Sequence, residues 1–400
     1  MSIRLGDIEL ILPAFINAFT DSQYLIGFLA STYYGVNYLT QPLFANFVEP
    51  KRKKKTYLYI AIFTRLASWF IIGLLTFVLG GGHPWLIMGI LLMLVALYST
   101  AGGLGSVAYT DIIGKVIAPD RRGRFFATIQ MVGSLLAFAA GYIVNIVLGE
   151  SFPLGFPYNY GVIFFLASAT LLIGAIGFYV IVEPLQAQEG KREPLATYLR
   201  KIPSILLQDR PFLIYNIVMA LSGFHLMLIP FYIVFLSQIK GVPASYIGIY
   251  LMARVFGGAV SNILWGWLGD RKGSNRVIQA CLLLGFLTPI IALVMRDAAP
   301  IYYVIVFAMV GSAVSARKVG FNTYLIDVAP SDRRPTYTGI NGILVSVMIP
   351  LPFVIGALIE NFSFTVAFLT VAAILGGTLP LGFLLSRQNK EYSEESAFQP

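Results

Sequence analysis

Eleven stretches of this chain are each long and apolar enough to cross a bilayer as an α-helix: 24–48, 56–80, 84–110, 125–149, 158–182, 211–239, 242–269, 277–295, 298–326, 336–359 and 362–386. A hydrocarbon core about 30 Å thick needs roughly 20 apolar residues at about 1.5 Å each. Seven of the eleven contain no Asp, Glu, Lys, Arg or His. A soluble fold has no interior large enough for them. Apolar residues make up 57% of the 400 and charged ones 12%, against about 45–50% and about 25% in soluble domains. None of the stretches has the polar/apolar alternation of a membrane barrel strand. The sequence therefore predicts an all-α integral membrane protein whose partner is the lipid bilayer.

Residues 8–20 add a shorter apolar run, about 20 Å of helix, that Arg4, Asp7 and Glu9 keep from extending backward. Two readings fit it: a short or truncated first transmembrane helix, or an amphipathic helix lying in the interface. Taken as helix 1, it gives twelve. Of the 28 Lys and Arg, 22 then fall in connections or tails on one side, including Lys51–Lys55, Arg121, Arg122, Arg271, Lys272, Arg333 and Arg334. The opposite side has Lys240 and Arg296. Such asymmetry marks the cytoplasmic face, so the C-terminus and the basic loops are expected to be cytoplasmic in a multi-pass protein of the cell membrane. Short basic clusters between apolar runs also exclude nucleic acid as a partner, because binding it needs one folded basic surface. The single cysteine, Cys281, and the two histidines, His83 and His225, leave no metal cluster to expect.

The longest polar connection, 183–210, divides the chain into a half at 1–182 and a half at 211–386, followed by a tail at 387–400. The halves repeat one another. Asp120-Arg121-Arg122 follows helix 4, and Asp332-Arg333-Arg334 follows helix 10, 212 residues later. A second pair lies between helices 2 and 3 (ANFVEPKRKKK, 45–55) and between helices 8 and 9 (GWLGDRKGSNR, 266–276). Paired halves are a common way for transporters to build a central site.

The later copy resembles the cytoplasmic-loop signature of the major facilitator superfamily, G-x-L-a-D-R-x-G-r-r/k-r. Gly266, Leu268, Asp270, Arg271, Gly273 and Arg276 match it. The resemblance covers essentially the whole chain. It implies a bundle of two pseudo-repeated six-helix halves and secondary transport of a small-molecule solute by alternating access, with no cofactor and no catalytic residue. It also implies gating contacts in which Asp270 caps the start of helix 5 near Arg122 and Arg124, and Glu49 caps the start of helix 11 near Arg334. A carboxylate at a helix N-terminus is worth about 0.3–1 kcal/mol when exposed. The alternative is a solvated loop that serves topology alone. Three positions depart from the family pattern: Glu49 replaces the aspartate and the first copy lacks both glycines, helix 4 has no arginine in YSTAGGLGS, and helix 5 has no Gly-Pro antiporter signature.

Charges inside apolar runs cost at least about 2.5 kcal/mol on insertion scales, so each asks for a purpose. Arg254 sits near the middle of helix 8 and His225 near the middle of helix 7. Arg317 and Lys318 are neighbours in helix 10, about 100° apart around its axis. Arg65 lies about 14 Å into helix 3. Together they suggest a cavity for an anionic or strongly hydrogen-bonding solute, since a guanidinium holds carboxylate or phosphate in a two-pronged grip. Each also has a structural alternative: bonds to helix-end carbonyls for Arg254 and Arg317, snorkelling for Arg65 and Lys318, a backbone bond for His225. Asp7, Glu9 and Asp111, with His225, are the candidates for proton coupling, although Asp111 is one turn from Lys115 and suits a local ion pair. No GxxxxGK[ST] loop is present to bind ATP. A membrane-embedded lipid-modifying enzyme, the first alternative, needs acids or histidines clustered at one face. A membrane sensor, the second, lacks an appended ligand-binding domain. A monomeric transporter is the expectation.

Overall fold

The computed structural model describes residues 5–48, 51, 53–117, 122–184, 204–328, 334–345 and 348–397. No strand occurs among the described residues. The helices, in chain order, are α1 (Ile11–Asn17), α2 (Gln23–Val48), α3 (Lys55–Leu79), α4 (Pro84–Val116), α5 (Arg122–Val147), α6 (Tyr158–Tyr179), α7 (Arg210–Lys240), α8 (Tyr246–Lys272), α9 (Ser274–Val294), α10 (Val304–Val328), α11 (Arg334–Val345), α12 (Leu351–Asn361) and α13 (Phe364–Ala397). Eight of them, α3, α4, α6 to α10 and α13, are long and apolar enough to cross a membrane. α2 is as long, but Ser31, Thr32, Asn37, Thr40 and Gln41 dilute its apolar character. The expected helix 11 is two helices, α11 and α12, separated around Pro350, whose ring cannot continue the ladder of backbone bonds.

The expected helix 1 is the seven-residue α1, about 10 Å long. It does not lie on a surface: Ile11 to Ile16 are all buried, and Phe15 packs against Phe19, Tyr160 and Phe164 at 5.1–5.3 Å between ring centres. An interfacial helix would keep one face wet. Asp7 starts the turn into α1 by accepting the N–H groups of Glu9 (3.0 Å) and Leu10 (2.9 Å), as a capping carboxylate does.

The chain divides into two compact units. The first holds Met1–Glu189, Pro230–Met252 and Pro352–Glu360; the second holds Gly190–Ile229, Ala253–Leu351 and Asn361–Pro400. In the first, α3 packs along α4 and α6, and α2 packs along α4. In the second, α9 packs along α10 and α13. Small residues let these crossings close. A Cβ on Gly103 of α4 would strike Thr40 of α2, and one on Gly311 of α10 would strike the Arg254 carbonyl of α8.

Candidate functional site

Arg65 does not reach for the end of its helix. Its guanidinium carbon lies 4.1 Å from the centre of the Tyr98 ring on α4, and Nη2 donates to the Tyr98 hydroxyl. The cation thus meets both the π-face and the oxygen of one side chain. Trp69, one turn further along α3 and on the same face, sets its ring 5.2 Å from Tyr98 and stacks on Phe164 at 5.5 Å. From α2, Tyr33 lies 6.5 Å from Tyr98 and 5.1 Å from Tyr34. The Tyr34 hydroxyl donates to Glu9. Asp7, Glu9 and Arg65 are all near enough to Tyr33 to act on it electrostatically. The first unit therefore gathers three of the charged candidates around a core of tyrosines and a tryptophan, which sequence reasoning missed. Arg65 and Trp69 four residues apart on α3 were the available signal, but rings at helical spacing look the same as ordinary core.

The second unit uses charge differently. Arg317 Nη1 donates to the Met219 carbonyl of α7 at 2.9 Å and to the Ser222 hydroxyl, while its carbon stands 5.1 Å from the Phe321 ring. Arg317 is 8% exposed, whereas Lys318 is exposed, as their separation around the helix requires. His225 and Arg254 are buried in this unit too, at 2% and 5%. Gly285 of α9 faces the His225 ring, where a Cβ would stand 3.6 Å from Cγ.

Asp111 stands apart from both interiors. It pairs with Lys54 at 2.6 Å and Lys115 at 2.5 Å. Glu183, which opens the connection between the halves, accepts the N–H groups of Lys54 and Lys55, each at 2.9 Å, and lies 3.5 Å from Lys115. It thereby caps the N-terminus of α3. Lys55 Nζ in turn donates to the carbonyls of Tyr179 (2.9 Å) and Ile181 (2.6 Å) past the end of α6. In the second loop motif, Gly273 has φ +88°, a conformation that lets the chain turn from α8 directly into α9 and that a side chain would strain. Asp270 is exposed at the end of α8, Arg271 lies over the Trp267 ring at 5.0 Å, and Arg276 donates to Gln279 at 3.0 Å. Gly266 precedes that turn within α8. Glu49, Asp120, Arg121, Asp332 and Arg333 lie outside the described residues, as do the side chains of Arg122, Arg124 and Arg334.

Within the first unit, the ends of α7, α8 and α12 pack against α1, α2 and α5. Asn17 donates to Ser237 at 3.1 Å, and Gln238 donates to Asn17 at 2.7 Å. Gln23 donates to Gln238 at 3.0 Å, and its backbone N–H donates to Glu360 at 2.6 Å. Glycines let the backbones meet at two crossings: a Cβ on Gly248 would strike Gly141 and Asn145 of α5, and one on Gly356 would strike the Gln23 carbonyl. Neutral amides, glycines and the Glu360 carboxylate form the polar part of this contact, alongside the buried Phe231. Among the described residues no three His, Cys, Asp or Glu side chains are placed to hold a metal ion.

The sequence model described as Major Facilitator Superfamily matches residues 6–351 and 226–400. No curated protein sequence matches the chain. Among solved structures, the nucleoside transporter NupG is similar over 96% of this chain and 98% of its own, with a TM-score of 0.68 at 13% identity. The peptide transporter POT, in complex with sulfate, is similar over 96% and 93%, with a TM-score of 0.69 at 14% identity. A bacterial homologue of the iron transporter ferroportin, in an inward-facing state, is similar over 96% of each chain, with a TM-score of 0.64 at 15% identity. At such identities the likeness establishes the fold.

Proposed function

Because the chain belongs to the Major Facilitator Superfamily and is a multi-pass membrane transporter of that fold, we propose that it works as a secondary active transporter, carrying a small polar solute by alternating access. The observation that carries this reading is the amide and glycine closure joining α1 and α2 to the ends of α7 and α12. An alternating carrier needs a seal that forms and breaks in each cycle, and a few hydrogen bonds suit that, those between the amides being worth about 0.5–1.5 kcal/mol each and the one to the Glu360 carboxylate somewhat more. In sealed proteoliposomes, Asn17→Cys paired with Gln238→Cys should stop solute flux when oxidised and regain it on reduction. Unchanged flux in the cross-linked protein would refute a moving closure.

The solute carries a carboxylate, phosphate or comparable acceptor that Arg254 grips. What supports this is a mid-helix guanidinium held inside the protein, 5% exposed. Arg254→Lys keeps the charge but loses the planar fork, so it should weaken transport nearly as much as Arg254→Ala. Normal transport by both would reduce Arg254 to scaffold. The protein sits in the cell membrane as a monomer, with its basic loops, central connection and C-terminus in the cytoplasm. The six-and-six division into 1–182 and 211–386 is supported by the packing of α3 on α4 and α6, which recurs as α9 on α10 and α13. Superposing α2–α6 on α8–α13 in an experimental structure tests it. Asp270 carries the acidic position of the family's loop signature, and Asp270→Asn should impair flux without affecting insertion.

A further inference from the structure

The helix that breaks at Pro350 is held by different neighbours on either side of the break. α11 is bonded to α7 in the second unit: Tyr337 donates to Asp209, just before α7, at 2.7 Å, its ring stands 4.3 Å from Phe212, and Asn341 donates to Asn216 at 3.1 Å. Met348, buried past the end of α11, fills the space that a Cβ on Gly223 of α7 would need. By Pro352 the attachment has changed to α2 in the first unit. A Cβ on Gly27 of α2 would strike the Pro352 carbonyl, one on Gly356 would strike the Gln23 carbonyl, and Tyr24 and Phe353 set their rings 5.8 Å apart. Each helix also caps the other. The Ser31 hydroxyl of α2 accepts the Phe353 N–H in the first turn of α12 at 3.1 Å, and Glu360 near the end of α12 accepts the first N–H of α2 at 2.6 Å. We propose that α12 is a hinged latch, docked on α2 by these reciprocal caps, which leaves α2 as one body by bending at Met348–Pro352 while α11 stays on α7. The proposal rests on the transport reading and names a piece that moves in it.

The first N–H groups of a helix have no partner inside it, so each must be met from outside. Here a side chain on the facing helix meets them, and separating α2 from α12 gives up both caps at once. The caps sit at opposite ends of an eleven-residue helix, so loosening either end loosens the other. Between them the glycines bring backbone against backbone, a fit that ends as soon as the axes shift apart. The stem allows that shift. Pro350 and Pro352 have no N–H, so two rungs of the ladder across the junction cannot form, and a few such residues are enough for a hinge. α7 and α8 also carry segments into the first unit, Pro230–Lys240 and Tyr246–Met252. They do so as unbroken helices, so those segments move only with their whole helix. The competing arrangement is a fixed kink in which α12 never leaves α2.

The test is pulsed electron paramagnetic resonance on the purified full-length protein in lipid nanodiscs, with Cys281→Ser and no added solute. Spin labels at Leu43→Cys on α2 and Val354→Cys on α12, both exposed positions, report the latch. Labels at Gly342→Cys on α11 and Leu369→Cys on α13, also exposed, report the second unit. The first pair should show two distances and the second pair one. Glu360→Ala should enlarge the longer-distance population of the first pair at least three-fold, although Glu360 lies at the far end of α12 from the label. Glu360→Gln keeps an acceptor oxygen and should enlarge it less, and Ser31→Ala should enlarge it too. Pro350→Ala with Pro352→Ala should leave the first pair a single distance. One distance for the first pair in unaltered and altered protein alike, two distances for both pairs, or a balance that neither Glu360→Ala nor Ser31→Ala shifts would each overturn the latch. Uptake of radiolabelled inorganic phosphate or D-gluconate by sealed proteoliposomes tests the transport reading separately. Two distances without uptake contradict transport of such an anion and keep the latch, whereas uptake with α12 fixed contradicts the latch and keeps transport.

Discussion

Arg65 and Arg317 look alike in the sequence, each a lone guanidinium in an apolar run, yet the two units treat them in opposite ways. Arg317 in the second unit donates to a backbone carbonyl and a hydroxyl of α7 and joins that helix to α10. Arg65 in the first unit lies on a tyrosine ring and donates to its hydroxyl, and its Nε has no partner among the described residues. A buried guanidinium is tolerated only when its donors find acceptors. Arg317 reaches a carbonyl and a hydroxyl across to α7, whereas Arg65 has the Tyr98 hydroxyl for Nη2 and no partner for Nε among the described residues. The same contrast marks the helix crossings. Gly311 is closed against backbone, the Arg254 carbonyl, whereas Gly103 meets the Thr40 side chain first, which has some freedom to give way.

Four substitutions grade that contrast. The largest loss of stability should come from Gly311→Val, because a side chain there strikes a carbonyl that cannot rotate aside. Overpacking a tight core costs about 1–3 kcal/mol and more against backbone, so thermal unfolding should show Gly311→Val well below Gly103→Val. Equal losses would erase the distinction between the two crossings. Arg317→Gln comes next. It removes two hydrogen bonds from a charged donor to α7, an expected loss of about 3 kcal/mol, read as a lower midpoint in detergent-solubilised protein.

Asp7→Ala should cost about 1 kcal/mol through loss of the cap on the turn into α1, and Asp7→Asn should recover most of it, since an amide oxygen caps as well. If Asn fails to recover stability, Asp7 serves the interior charge cluster rather than the turn. Smallest of all, Lys318→Ala should change stability by less than about 0.5 kcal/mol, as exposed positions do. A large loss there would mean that Lys318, and not its neighbour, is the brace.

Much of the fold is legible because lipid leaves so few options. The apolar windows place α3, α4 and α6 to α10 within a few residues of their observed ends. Pro350 marks the break between α11 and α12, and the charges at Arg4, Asp7 and Glu9 mark how little of the first helix can lie in lipid. The buried cations were legible for the same reason: Arg254, His225 and Arg317 stand out against apolar neighbours. Their fates were not. Whether Arg317 meets carbonyls or solvent depends on which turn of α7 lies opposite, and no local pattern encodes that. The packing of Tyr98 and Trp69 around Arg65 was not legible because aromatic side chains are equally at home in core and in lipid. Gln23 and Gln238 were missed because neutral amides at helix ends carry no charge signal, and Glu183 because its target is a backbone 128 residues away.

The central claim is that Arg317 braces α7 to α10 through two hydrogen bonds, while Arg65 is only partly bonded within its unit. The most direct measurement sets the melting temperatures of Arg65→Gln and Arg317→Gln side by side in the same detergent without added solute. Arg317→Gln should melt several degrees below the parent, and Arg65→Gln should fall by less, because the loss of the Tyr98 bond and ring contact is partly offset by removal of a stranded buried donor. If Arg65→Gln instead falls as far as Arg317→Gln, both arginines are braces of equal weight and the contrast between the units fails.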